Sequence, residues 1–369
     1  MSQCPTEPIP PGCAVGKGFF LSANGWTGFR SHHMEFYDSR KFTRIFVIKG
    51  GPGTGKSRMM REIAQAAEQE GATVSYIYCS SDPASLDGVV LVKEKRKIAV
   101  LDGTAPHTRC ADVPGAIDEI VNLGAFWDSE FLMKHREEIL SLCDRKSACY
   151  QRAYRYLSIA GDIDEERQKI LTSCVRWEKL KKAATRELRL LPISTQPCEE
   201  THYLSAFGMN GKVRLDASIK TSKVVIVSDP FGSARFFLNT MRDILRDEGV
   251  YRYGLFPSCF SDQITEAICL TGADTVYLTE PSDLAPARRI NMKRFLLPDA
   301  IAENRRTLRL LSNERKKMLE EAELSLREVG KYHFALEKMY GDAMDFTGKE
   351  AFSSVLCGKI IRLLQKDDD

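Results

Sequence analysis

Residues 45–63 read IFVIKGGPGTGKSRMMREI. An apolar, β-rich run, IFVI, enters a glycine-rich turn, and an amphipathic helix leaves it. The turn Gly50–Ser57 fits the pattern G-x-x-x-x-G-K-[ST]. Gly50, Gly51, Gly53 and Gly55 permit backbone angles closed to other residues, so successive N–H groups can turn inward around an anion, with Pro52 and Thr54 completing the loop. The helix that follows offers its N-terminal amides and dipole to the same anion. Lys56 has the reach for β- and γ-phosphates, the Ser57 hydroxyl suits Mg²⁺, and Arg58 closes the candidate binding stretch. This stretch predicts an α/β fold, with ATP and Mg²⁺ as its expected ligands.

Partner carboxylates are expected at the ends of neighbouring strands. KIAVLD, residues 97–102, ends in Asp102 after four apolar residues, the position of a Walker B aspartate. Ser57 and Asp102 are therefore the candidate metal residues. The next residue is Gly103 and not an acid, which predicts slow turnover. In open α/β sheets, ligands bind at the carboxyl ends of strands, so the loops YCSSDPASLDG and DGTAPH should face the phosphates. Asp82 or His107 could act there as base or water-positioner, beside Lys56 and Asp102 in the catalytic set. Plain turn chemistry explains the Asp-Pro and Ala-Pro dipeptides equally well. His32 and His33 show no metal-ligand spacing.

The chain repeats itself. LSANGWTG (21–28) matches LSAFGMNG (204–211), GATVSYIYCSS (71–81) parallels GVYRYGLFPSC (249–259), and KIAVLDGTAP (97–106) parallels DTVYLTEPSD (274–283). Ile139, Leu142, Cys149, Ala153, Leu157 and Gly161 share a gapless register with Leu308, Leu311, Met318, Ala322, Leu326 and Gly330. The counterpart of the glycine loop is VVIVSDPFGSARFF, 224–237. There Gly53 corresponds to Gly232, Lys56 to Arg235, Ser57 to Phe236 and Asp102 to Thr279, while Asp229 and Pro230 replace Gly50 and Gly51. A phenylalanine cannot ligate magnesium and a threonine is no carboxylate, so the second copy should not bind Mg·ATP in the usual way.

Each copy reads as strand, loop, helix, strand, strand and a helical hairpin, which predicts parallel sheets covered on both faces. The expected architecture is two tandem P-loop NTPase-like, three-layer αβα domains from an internal duplication. A flexible N-terminus covers 1–17. The first domain covers 18–195, with its hairpin at about 130–191, broken near Gly161. The degenerate domain covers 196–369, with its hairpin at about 300–340 and a further C-terminal helix. Arg152 and Arg155, in QRAYRYL, are candidates for a lid over phosphates.

Composition narrows the setting. At 43% hydrophobic and 28% charged residues the chain is a globular protein with no apolar run of membrane length. MSQCPTEPIPPGC lacks the basic start and apolar core of a signal peptide. Cysteines such as Cys79, Cys149, Cys174 and Cys269 lie in apolar periodic segments without CxxC pairs, which suits a reducing, cytoplasmic compartment. A net charge of +3 gives little electrostatic footprint for nucleic acid, despite basic clusters at 93–97 and 176–189.

KGGPGTGKS, CSSDPASLDGVV, IAVLDGTAPH, PGAIDEIVNLGAFWD and QRAYRYL together resemble a poorly characterised family of bacterial tandem P-loop ATPases. The resemblance covers the first copy almost throughout and the second more faintly. It implies an ATP-binding protein and ATPase without naming a substrate. Relatives often keep a second phosphate-binding loop, from which this chain departs. The leading expectation is a slow Mg-dependent ATPase acting as a switch, with a protein partner met through the hairpins. The alternatives are a small-molecule kinase and a nucleotide-dependent binding module.

Overall fold

The computed structural model describes residues 17–106, 108–189, 191–219 and 221–365. The flexible stretch expected over 1–17 lies, up to residue 16, outside them. In chain order the first elements are β1 (Gly18–Phe20), β2 (Ser22–Gly25), β3 (Gly28–Ser31), α1 (His33–Phe36), β4 (Arg44–Lys49), α2 (Lys56–Gln69), β5 (Thr73–Tyr78), β6 (Leu86–Lys93), β7 (Arg96–Asp102), β8 (Asp118–Asn122), α3 (Ser129–Lys134), α4 (Arg136–Ser173) and α5 (Trp177–Leu188). Then come β9 (Cys198–Thr201), β10 (Ser205–Gly208), β11 (Gly211–Arg214), β12 (Lys223–Val227), α6 (Ala234–Glu248), β13 (Arg252–Ser258), β14 (Ser261–Leu270), β15 (Thr275–Thr279), β16 (Arg288–Ile290), α7 (Pro298–Asp342) and α8 (Phe346–Gln365).

Packing sorts the chain into two mixed α/β units, each assembled from separate stretches. Among the described residues, unit 1 contains 31–151 and 325–365, and unit 2 contains 17–30 and 152–324. This grouping by packing differs from a division by motif order at 195/196, because its boundaries fall inside α4 and α7. Each of those helices contributes one part to each unit. The sheet of unit 1 is therefore covered by α8, which follows the second copy in sequence, and the sheet of unit 2 by α5, which follows the first.

In unit 1 the strands lie in the order β5-β6-β7-β4-β8. β4 pairs in parallel with β7 and β8, whereas β6 is antiparallel to both β5 and β7. The sheet is thus mixed, correcting the all-parallel expectation. The cause is local: LVKEKRKIA is a hairpin whose tight turn places Glu94 at φ 52°, and so short a turn can only join antiparallel neighbours. The basic cluster 93–97 is this turn. α2 puts Met59, Met60, Ile63, Ala64 and Ala67 on one buried face, the i, i+4, i+8 stripe of an amphipathic helix. They pack with Phe46 and Ile48 of β4 and with Leu356, Ile360 and Leu364 of α8. Each large side chain buried this way contributes about 1.5–3 kcal/mol.

Unit 2 repeats the pattern. Its sheet runs β16-β12-β15-β14-β13-β9, with β12 parallel to β15 and β16, and β14 antiparallel to β13 and β15. Strand alternation sends Val225 and Val227 toward α5 and α6, and Val224 and Ile226 to the opposite face. That face packs on Leu204, Leu215, Ile219 and Leu284. These four lie in connecting segments and not in an α-helix, so the three-layer expectation fails there. The hairpins β2–β3 and β10–β11 carry the LSANGWTG and LSAFGMNG repeats, and Phe20 and Tyr203 exchange backbone hydrogen bonds of 2.9 Å.

The helical segments also depart from the expected hairpins. α4 runs unbroken through Gly161 to Ser173, and α7 is one helix of 45 residues through Gly330. Gly161 serves close approach: an ideal Cβ there would stand 2.8 Å from Trp26 Cγ and 2.9 Å from its Cβ. Three residues separate the end of α4 at Ser173 from Trp177, which opens α5, and the further C-terminal helix is present as α8. Among the described residues no helix is long and apolar enough to cross a membrane.

Candidate functional site

β4 delivers the chain into loop 50–55, and α2 starts at Lys56. Gly53 and Gly55 have φ of +72° and +78°, the left-handed region that other residues enter only with strain. The Thr54 hydroxyl donates to the Gly51 carbonyl at 2.9 Å. The Lys56 ammonium donates to the carbonyls of Gly50 (2.9 Å) and Gly51 (2.7 Å) and lies 3.5 Å from Asp102 Oδ2. The parallel pairing of Ile48 with Asp102 makes that contact, because it ends both strands at the same level. Asp102 Oδ1 accepts from the Thr104 amide (2.9 Å) and hydroxyl (2.5 Å). Ser57 Oγ accepts from the Leu86 amide at 3.0 Å.

The missing acid after Asp102 has a packing cause. An ideal Cβ on Gly103 would lie 2.4 Å from Val47 Cγ1 and 3.2 Å from Lys49 Nζ. Lys49 in turn holds the Gly103 and Arg109 carbonyls at 2.5 and 2.6 Å.

The other predicted residues fall in different places. Asp82 closes its own turn, with Oδ1 accepting from the Ala84 amide and Oδ2 from the Ser85 hydroxyl, both at 3.1 Å. Asp87 is a buried residue of β6. His107 lies outside the described residues. Arg58 is 70% exposed and pairs with Glu62 (2.9 Å) and Glu350 (3.7 Å). Arg152 and Arg155 belong to unit 2, not to the unit that holds the loop. Among the described residues no three His, Cys, Asp or Glu side chains cluster as a metal site.

What covers the loop comes from the far end of the chain. An ideal Cβ on Gly53 would stand 2.2 Å from the Glu337 carbonyl oxygen, and one on Gly51 would stand 3.0 Å from the Tyr340 ring. The Glu337 carboxylate lies close enough to Lys56 to feel its charge. His333, at 3.4 Å, leads in holding this carboxyl below its usual range; burial opposes, and Lys56 assists. Lys349 of α8 is 2% exposed, its ammonium stands 3.2 Å from an ideal Cβ on Gly55, and burial pushes its pKa down. Nothing local in the sequence flags these three residues.

The second loop keeps its place between strand and helix but not its backbone course: Phe231 takes φ 60°, and Ser233, just before α6, is right-handed where Gly55 is left-handed. Gly232 has φ +82°. Asp229 Oδ1 accepts the Ala234 amide at 2.7 Å, so a side-chain carboxyl caps α6. Phe236, in place of the serine, packs edge-on against Trp177 at 5.3 Å. Thr279, in place of the aspartate, receives Arg214 on its carbonyl at 3.0 Å. Arg235 pairs with Asp164 at 2.8 Å and donates to the Gly232 carbonyl at 3.2 Å.

Comparison with known proteins adds one likeness. The model of the family described as Nephrocystin 3, N-terminal, matches residues 26–90, a stretch that contains the glycine loop and α2. No curated protein and no solved structure matches the chain.

Proposed function

We propose that residues 50–57 bind ATP with Mg²⁺, and that the protein is a slow ATPase acting as a switch or regulator on a tandem P-loop architecture whose second copy has lost nucleotide binding. The observation that carries this reading is the Lys56 ammonium placed between the loop carbonyls and Asp102, at the joint of a strand, a glycine loop and a helix. The recurrence of one strand order in both units and the resemblance to bacterial tandem P-loop ATPases support it.

The donor set fits the ligand. Gly53 and Gly55 hold the angles that aim amides at an anion. Ser57 and Asp102 offer a hydroxyl and a carboxylate at one end of the sheet, and phosphate oxygens would complete the shell, as is usual for Mg²⁺. The ion would supply charge neutralisation at the phosphates. Lys56 adds positive charge within the loop, and Thr104 fixes the rotamer of Asp102. Turnover is slow in this reading because Gly103 leaves no room for an acid and both Asp82 oxygens are held in a turn. A protein partner would meet the long helices, where α7 exposes Leu310, Leu324 and Phe334.

The test is equilibrium binding of Mg·ATP together with phosphate release. Lys56→Ala is expected to abolish binding or turnover, and Arg235→Ala to leave ATP affinity nearly intact. Undiminished Mg·ATP binding by Lys56→Ala would remove the site assignment. Transfer of the γ-phosphate to a metabolite, instead of release to water, would turn the reading to a kinase.

A further inference from the structure

Unit 2 contains a cavity of ≈ 320 Å³ beside the second loop. Four cationic side chains line it: Arg167 from α4, Lys212 from β11, Arg235 from α6 and Arg315 from α7. Lys212 is matched by Glu266 at 2.6 Å. The three arginines share one carboxylate, Asp164, which is 2% exposed. Arg235 reaches it at 2.8 Å, Arg315 at 3.2 Å, and Arg167 is hydrogen-bonded to it. Asp229 also lines the cavity, where it caps α6 and burial raises its pKa, and the lining carboxylate Glu280 is paired with Arg289.

The surplus is buried. Arg167 is 5% exposed and its Nε has no hydrogen-bond partner. Its guanidinium lies over the second loop, with Nη2 2.7 Å from an ideal Cβ on Gly232. Ser233, fully buried just before α6, has an Oγ without a partner. Burial, with Arg167 and Arg235 beside it, drives Arg315 down to about 10 despite Asp164. Uncompensated buried charge is costly, and three guanidiniums around one shared carboxylate leave positive charge for an anion to match. Guanidinium forks suit the oxygens of a phosphate in particular. Trp26 stacks on Phe260 at 4.3 Å with Arg315 above both rings, so those two rings are already engaged with each other and with a guanidinium.

We propose that this cavity is a second binding site, for a small phosphate-bearing anion gripped by Arg167, Arg235 and Arg315. It does not use the backbone cradle of the glycine loop. The second copy has exchanged an amide-lined site for a guanidinium-lined one. The proposal stands independently of ATP binding at residues 50–57.

Inorganic phosphate and pyrophosphate are the probes, titrated into the full chain carrying Lys56→Ala so that the first loop does not contribute. Saturable thermal stabilisation is expected, with about fivefold protection of Arg235 and Arg315 from phenylglyoxal, read residue by residue by mass spectrometry. Adding Arg235→Gln should weaken pyrophosphate about tenfold, while Lys359→Gln, in unit 1, should change nothing. Absence of saturable stabilisation and protection overturns the proposal, as does pyrophosphate affinity unchanged by Arg235→Gln. Should Arg235→Gln fail to fold, protection of the two arginines in the Lys56→Ala chain decides the matter alone.

Discussion

Gly103 and Glu337 set the chemistry around Lys56 from opposite sides. Gly103 stands where an acid would sharpen turnover, yet a Cβ there would meet Val47 Cγ1 at 2.4 Å. Gly103→Ala is expected to lower stability by about 1–3 kcal/mol in urea unfolding, so no acid can be installed there without repacking; an unchanged midpoint would refute the clash. Glu337 competes with the proposed phosphate for the charge of Lys56, and its backbone carbonyl crowds Gly53. Glu337→Gln is expected to tighten Mg·ATP about tenfold at neutral pH. The sign of the pH effect follows from the lowered pKa of Glu337. Its carboxylate competes fully above the ordinary range near about 4 and stops competing as pH falls through the lower folded value. The gain of the variant should therefore be flat at neutral pH and vanish only in acid, by calorimetry across pH. Equal affinity of variant and parent at pH 7 would show that Glu337 does not guard the loop. The glycine loop and Asp102 were legible in the sequence because strand, turn and helix signals are local. Glu337, Tyr340 and Lys349 were not, because some 280 residues separate them from the loop they cover.

The elements show where pattern reading fails for a physical reason. Glycine usually weakens a helix interior by about 1 kcal/mol relative to alanine, which made Gly161 look like a break. In α4 it admits the Trp26 side chain instead, so Gly161→Ala should destabilise the protein in spite of the propensity gained. The strand β6 was hidden because LDGVVLVKEKRK reads as a basic cluster until its turn is seen to pair it with β7. At α8 the test is packing. Ile360 is fully buried against the α2 side of the sheet, and Ile360→Ala should cost about 2–5 kcal/mol. Val355, 69% exposed on the same helix, should tolerate alanine within about 0.5 kcal/mol. Equal losses at the two positions, in urea unfolding, would mean that α8 does not cover that core.

For the whole molecule the duplication of elements along the chain was readable, but the pairing of helices with sheets was not, because amphipathic periodicity names a buried face without naming its partner. The residues that close each core come from the other copy's sequence. Leu171, Leu180, Ala184 and Leu188 pack in the core that holds β12, β13 and α6, whereas Leu356, Ile360 and Leu364 pack in the core that holds β4, β6 and α2. A cut at 195/196 separates both cores from those residues. Fragment 18–195 would leave the stripe of Met59, Met60 and Ile63 without α8, and fragment 196–369 would leave Phe237, Leu238 and Met241 without α5. Losing three or four buried aliphatic partners removes more than about 5 kcal/mol from either core, as much as a typical domain's whole stability. Neither fragment alone is therefore expected to give a cooperative urea transition, whereas an equimolar mixture should recover one with the far-ultraviolet circular dichroism of the intact chain. A sharp, reversible transition from isolated 18–195 would show that the first copy closes its own core and that α8 is only an addition to it.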